Sequence, residues 1–399
     1  MKNFENNFPF FARNSKINYL DNAATTQVLY TVPKDRYEFE IEHRANAHRS
    51  GHRLGTWVDT QYHAAKQSIA NWLNVLEDQI VFNSGTTQGL NDSAEFITNR
   101  HERTVTYVGS DSHHSLFLPF YRLSKNGDHV LKTINTTTEG LLDLDWLEQE
   151  LTTVDKNTKI IIAATTVSNV LGKINNLERI RSMAYEHNAV TVIDASQIVG
   201  KRPVDITGFD FVAFSWHKIY GPMGLGCLIV GLDWLKSDPV RPGGGSITHV
   251  SFDHVDWQMG AGRFESGTQN LSAIVTIPKL TEWIRQNEQE IAEHDVALAR
   301  YVVSHCPGDM FEPVSFSDTG LISLLPKIGR VEDYAYMLDA KNIMVRTGKL
   351  CAEPLVSKYG TGLIRLSWAC YTNKRDIEQA FNTLMEIYEK LRRHVSRAA

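Results

Sequence analysis

The chain has 399 residues, beyond the size at which one hydrophobic core usually keeps growing, so a large domain with a smaller companion is expected. Hydrophobic residues make up 42% and charged residues 22%, with a formal net charge of -5, which excludes a largely disordered or strongly basic chain. No basic run invites nucleic acid, and no window of about 18 uninterrupted apolar residues invites a membrane.

In chain order, the N-terminal segment (1–20) begins MKNFENNFPFFARNSK, whose aromatic pairs are broken by Asn, Pro and Arg; this argues against a secretion signal and for the cytosol. From about residue 80 to 230, short β-rich runs alternate with helical spacing. The runs at 104–108, 159–164, 190–194, 211–214 and 227–230 predict strands, and 177–187 predicts a helix between two of them. This is α/β architecture with a mostly parallel sheet, in which ligands bind beyond the carboxyl ends of the strands. The strongest loop signal is Pro242-Gly243-Gly244-Gly245-Ser246. From about Leu271 the texture becomes amphipathic helix, clearest at 377–391, where Ile377, Phe381, Leu384, Ile387, Tyr388 and Leu391 share a face. The expected division is a large domain over 21–270 and a smaller one over 271–399.

Chemistry-bearing residues gather after the strand runs. Lys218, in Ser215-Trp216-His217-Lys218-Ile219-Tyr220-Gly221-Pro222, follows the run 211–214. A lysine there is costly to desolvate without a partner or a covalent task such as a Schiff base, although taken alone a loop lysine reaching solvent is commoner. Asp194 closes the run 190–194, where an acid either caps a helix or pairs with the nitrogen of a pyridine cofactor. Ser84-Gly85-Thr86-Thr87-Gln88 can collect backbone N–H groups and hydroxyls on a phosphate, or serve as a plain helix N-cap. Together the lysine, the acid and the anion loop, with Ser215 and His217 opposite, fit pyridoxal phosphate (PLP).

These residues belong to a longer ordered set: Tyr19-Leu20-Asp21-Asn22-Ala23-Ala24-Thr25-Thr26, Asn46-Ala47-His48-Arg49, Gly85-Thr86-Thr87, His113-His114, Val167-Ser168-Asn169-Val170-Leu171-Gly172, Asp194-Ala195-Ser196-Gln197, Ser215-Trp216-His217-Lys218, Gly243-Gly244-Gly245-Ser246, Arg263-Phe264-Glu265-Ser266-Gly267-Thr268 and Arg346-Thr347-Gly348-Lys349-Leu350-Cys351-Ala352. On this set the chain resembles the PLP enzymes of the class V aminotransferase family, and within it the group II cysteine desulfurases of the SufS/CsdA type. The resemblance covers nearly the whole chain.

The resemblance implies PLP-dependent transferase fold type I, with an α+β C-terminal domain. It implies Lys218 as the Schiff-base lysine, Asp194 on the pyridine nitrogen, and His113 stacked on the ring as a proton carrier. Asn169 and Gln197 are implied at the phenolic oxygen, and Thr86, Thr87, Ser215 and His217 at the phosphate. Thr268 is implied to come from the second subunit of a homodimer. Arg365 is implied to grip the substrate carboxylate, with Arg346 and Asn169 ordering the substrate side.

Cys351 selects among PLP reactions. In the family that the chain resembles, the cysteine at this position attacks the sulfur of L-cysteine, leaving alanine and an enzyme persulfide for an acceptor resembling SufE or CsdE. Arg346 and Lys349 are expected to favour its thiolate. Gly348, Pro354 and the flanking charges read as an exposed loop, whereas Cys227 in an apolar run and Cys370 in Trp-Ala-Cys-Tyr read as structural. The four cysteines, Cys306 included, form no C-x-x-C pair, so neither a disulfide framework nor a structural zinc site is expected. His48 and His52 could share a metal if helical, but no acid stands at metalloprotease spacing, and no metal is expected. The adjacent His113 and His114 leave room for one at the ring face. Two departures from the pattern are Lys349-Leu350, where many SufS enzymes carry two histidines, and Gln88, where an acid is usual; the first bears on acceptor choice and on selenocysteine as substrate. The rival readings are a selenocysteine lyase or another class V carbon–sulfur lyase that does not need Cys351, and a low-turnover PLP-binding sulfur-carrier scaffold.

Overall fold

The computed structural model describes residues 4–48, 50–316 and 319–398, so Arg49 of the Asn46–Arg49 motif lies outside the described residues. Seven strands make the central sheet: β1 (Ile80–Asn83), β2 (Thr104–Gly109), β3 (His129–Ile134), β4 (Lys159–Thr165), β5 (Val190–Asp194), β6 (Phe211–Ser215) and β7 (Gly226–Val230). Their order across the sheet is β3-β2-β4-β5-β6-β7-β1. Pairs from β3 to β6 are parallel, and β7 runs antiparallel to both its neighbours. Each strand run read from the sequence is a strand to within one residue at either end, and the helix Leu177–Glu186 matches its expected span.

The interior strands read as continuous apolar runs because both faces are covered. Alternate residues of one strand feed different cores: Ile193, Val212 and Phe214 join one, whereas Val192, Phe211 and Ala213 join the other. The edge strand β3 is only partly buried and carries Lys132, as an edge exposed to water requires.

A smaller antiparallel sheet, in the order Phe311–Pro313, Leu321–Pro326, Leu363–Ser367, Arg346–Gly348, forms another core with the helices Val331–Asp339 and Lys374–Ala398. The 29-residue helix Ile277–His305 serves both cores, giving Ile277, Leu280, Ile284 and Ile291 to the large one and Leu298, Ala299 and Val302 to the smaller. The N-terminal segment also divides itself, with Phe4 and Phe8 in the large core and Leu20 in the smaller. We keep the division near residue 271 as a proposal about chain order; the packing is shared across it. After the Pro242–Ser246 loop, a hairpin of Ile247–Val250 and Val255–Trp257 carries the exposed Val250 and Phe252. Among the described residues no helix is long and apolar enough to cross a membrane.

Candidate active site

A cavity of about 240 Å³ opens where β5 ends in Asp194 and β6 ends in Ser215, at the carboxyl ends of the parallel strands. Every site residue singled out from the sequence lines it except Thr268. Thr268 lies in a separate hollow with Phe39 and Asn46, so its contribution remains a proposal about a second copy of the chain.

One end of the cavity gathers a helix N-terminus and several hydroxyls, groups that could hold an anion. The 15-residue helix Thr86–Arg100 starts here, with Gly85 as N-cap at φ 149°, a region that residues with a Cβ rarely enter. Thr86 N–H donates to Ser215 Oγ at 2.8 Å, and Thr86 Oγ1 meets Ser215 Oγ at 2.7 Å and Ser196 Oγ at 2.8 Å. Thr87 Oγ1 meets Ser115 Oγ at 2.8 Å. Gln88 closes the loop by accepting from Ser84 N–H at 3.0 Å and from Ser84 Oγ at 2.8 Å, a task that its amide oxygen performs without adding negative charge. His217, with Nδ1 3.2 Å from Thr25 Oγ1, is pushed down to about 4 by burial and by the Lys218 charge, so its ring is neutral.

Lys218 stands in the tight turn Trp216–Lys218 directly after β6. Burial lowers its pKa, against the attraction of Asp194 and with the repulsion of Arg365, which favours a neutral, nucleophilic amine. Asp194, 5% exposed, accepts from Ser196 N–H at 3.0 Å through Oδ1 and makes no other side-chain hydrogen bond among the described residues. His113 caps the helix His114–Leu123: its Nδ1 accepts from Ser115 N–H at 3.1 Å. Burial first, then the Lys218 charge, lowers its pKa to about 4 against the pull of Asp194. A neutral ring with Nδ1 accepting carries its proton on Nε2.

Gln197 is held at both ends, Nε2 donating to Ala23 O at 2.8 Å and Oε1 accepting from Lys201 Nζ at 2.9 Å. Lys201 went unnoticed in the sequence, where only its i+4 distance from Gln197 hinted at contact. Burial pushes it down to about 7 against the attraction of Asp295. Arg365, 2% exposed, donates from Nη1 to Asn169 O at 3.0 Å and from Nη2 to Asp21 Oδ1 at 3.3 Å, and its buried Nε has no partner among the described residues. Asp21, within the run Tyr19–Thr26 and without a role expected from the sequence, binds Arg346 too.

On the opposite wall, Leu350 and Cys351 stand in succession at φ 52° and 53°. Left-handed backbone costs a non-glycine residue about 1–3 kcal/mol, so the turn needs outside support. Asn169 Nδ2 donates to Leu350 O at 2.8 Å, His114 N–H donates to Cys351 O at 2.7 Å, and the Leu350 side chain is buried against Val170, Leu171 and Leu355. Of the four cysteines Cys351 alone is exposed. Burial raises Cys227 and Cys370, the latter to about 12, and pushes the half-buried Cys306 up to about 11.

The expected help of Lys349 to the Cys351 thiolate is corrected. Its ammonium donates to Ser357 Oγ at 3.1 Å and Gly360 O at 2.9 Å, and it does not line the cavity. Lys218, Arg346 and Arg365 share the cavity with Cys351 and feel its charge. His48 and His52 do not share a helix: His48 sits at φ 63°, and His52 caps the helix Arg53–Leu73 through Nδ1.

The model of the aminotransferase class-V family matches residues 18–380. The chain belongs to this family. Relatives similar to it include a probable cysteine desulfurase of Xylella fastidiosa, 30% identical over 383 residues that cover 94% of this chain and 91% of the relative. The apo structure of a cysteine desulfurase from Thermococcus onnurineus NA1 superposes with a TM-score of 0.91 at 28% identity, over 98% of this chain and 99% of that one. The Escherichia coli cysteine desulfurase CsdA (S-sulfonic acid) gives 0.87 at 27% identity, over 97% and 98%. The class-V fold expected from the motifs is thus the fold observed, a mostly parallel α/β sheet with the site at its carboxyl edge.

Proposed function

We propose that the protein is a pyridoxal-phosphate-dependent L-cysteine desulfurase, which converts cysteine to alanine and leaves the sulfur on Cys351 as a persulfide. The observation that supports this best is a single cavity lined by both Lys218 and Cys351. The names of its relatives, matched over nearly the full length, point the same way.

The donor set fits the cofactor. Asp194 offers a buried carboxylate to a pyridinium nitrogen, Lys218 an amine to the aldehyde, and the helix start at Thr86, with Ser215 and His217, donors to the phosphate. Asn169 and Gln197 suit the phenolic oxygen, and His113 the ring face. When bound, PLP supplies an electron sink that stabilises negative charge at the substrate Cα.

The chain's own groups do the remaining work. Arg365 presents planar donors to the cysteine carboxylate, with its buried Nε still to be satisfied. Lys218 Nζ accepts the Cα proton, and the Nε2 proton of His113 serves the other transfers. The Cys351 thiolate, which shares the cavity with Arg346 and Arg365, attacks the substrate sulfur. A sulfur–sulfur bond forms as the Cβ–S bond breaks; the electron pair stays with carbon, and a proton discharges it to give alanine. A homodimer in which Thr268 of the partner subunit completes the phosphate end, a cytosolic setting and a sulfur-accepting protein partner complete the proposal.

Cys351→Ser tests it. Alanine release from cysteine should fall at least about a hundredfold while the spectrum of the bound cofactor still responds to cysteine. The parent protein, treated with cysteine, should gain the mass of one sulfur on the Cys351 peptide. Alanine release that survives the substitution would instead favour a lyase that needs no enzyme thiol.

A further inference from the structure

We infer that His114 is a positioning residue that fixes the exit of the Cys351 turn, an inference that rests on the desulfurase reading above. Consecutive left-handed residues at 350 and 351 do not persist without tethers. Two tethers act at the carbonyls: Asn169 Nδ2 on Leu350 O, and the backbone N–H of His114 on Cys351 O. The third is a side chain. His114 Nε2 accepts from the backbone N–H of Glu353 at 3.0 Å, the first residue of the short helix Glu353–Val356. One residue thus holds the chain on both sides of Ala352, through its main chain before and its ring after.

The two adjacent histidines therefore carry opposite tautomers. His113 accepts at Nδ1 and keeps its proton on Nε2, whereas His114 accepts at Nε2 and, neutral, keeps its proton on Nδ1. The first serves the cavity, and the second ties the smaller sheet's cysteine loop to the helix His114–Leu123, which packs on the large sheet. Sulfur transfer needs the attacking thiol held within reach of the substrate, and small displacements of such a group cost much rate.

The test compares His114→Ala with His114→Gln, whose amide oxygen restores an acceptor near the position of Nε2, in the holoenzyme. With His114→Ala, kcat for alanine formation should fall about tenfold or more while KM for cysteine stays within about twofold, because the Arg365 clamp is untouched. Alkylation of Cys351 by iodoacetamide, followed by mass spectrometry, should speed up several-fold. His114→Gln should return both readouts most of the way to the parent. Parental kinetics and alkylation in His114→Ala, or equal defects in both variants, would overturn the assignment. A parent enzyme that forms no alanine would sink the desulfurase reading instead. The alkylation rates would then decide the tether: faster labelling in His114→Ala alone supports it, and equal rates in all three overturn it.

Discussion

Arg346 holds Asp21 in a two-pronged contact, Nη2 to Oδ2 at 3.0 Å and Nε to Oδ1 at 3.1 Å, and the same carboxylate reaches Arg365 at 3.3 Å. One anion thus keeps two guanidiniums side by side in the cavity wall, where like charges would otherwise repel. Asp21→Asn should leave Arg365 buried without its counter-charge and free Arg346 to swing. The expected result is a KM for cysteine raised about tenfold, with kcat changed by less than about threefold, as befits a lost ground-state clamp. A fall in kcat at unchanged KM would contradict this assignment.

Gly226 leaves no room for a side chain. A Cβ there would lie 2.4 Å from Gly85 Cα and 2.4 Å from Asn83 Oδ1, well inside contact distance. Gly226→Ala must therefore push the Gly85 loop off β7 and misalign the start of the helix Thr86–Arg100. Titration of the apoprotein with PLP, followed by absorbance, should show affinity reduced by about tenfold or more, since the proposed phosphate site depends on that helix start. Unchanged affinity would mean that the phosphate binds elsewhere.

Asp111 gives a pH signature separate from catalysis. Its carboxyl is fully buried, and burial raises its pKa from 3.8 to about 6, opposed by the Asn175 amide at 3.0 Å. The folded chain then binds this proton more tightly than the unfolded chain does. Its effect on stability is most favourable below about pH 4 and is lost as pH rises towards 6, a change of at most about 3 kcal/mol. Asp111→Asn should remove that slope and gain stability at pH 7 relative to the parent. Urea midpoints at pH 4, 5, 6 and 7 check it; parallel curves for the two proteins would refute the role given to Asp111.

The large sheet was legible because its interior strands are buried on both faces and so read as apolar runs. Strand β3 was not singled out, since an edge strand with His129 and Lys132 lacks that run. The residues that line the cavity were legible as strand-end motifs. Asp21 was not, because its partners stand 325 and 344 residues away, and only folding brings them together. Lys349 misled for the opposite reason: closeness in sequence suggested closeness in space, whereas the turn at Leu350 and Cys351 leaves its ammonium with Ser357 and Gly360. His114 had no residue-type signal either, because what it grips is a backbone N–H.

The helix Ile277–His305 carries one further consequence. Its first half is indispensable to one core and its second half to the other, so neither core can lose order without loosening the helix that the other depends on. Heat should therefore meet a single cooperative unit, and calorimetry should record one transition with no shoulder from the smaller sheet. Two resolved transitions would mean that the helix can fray in its middle, and that the cysteine loop can drift from Lys218 while the rest of the protein stays folded.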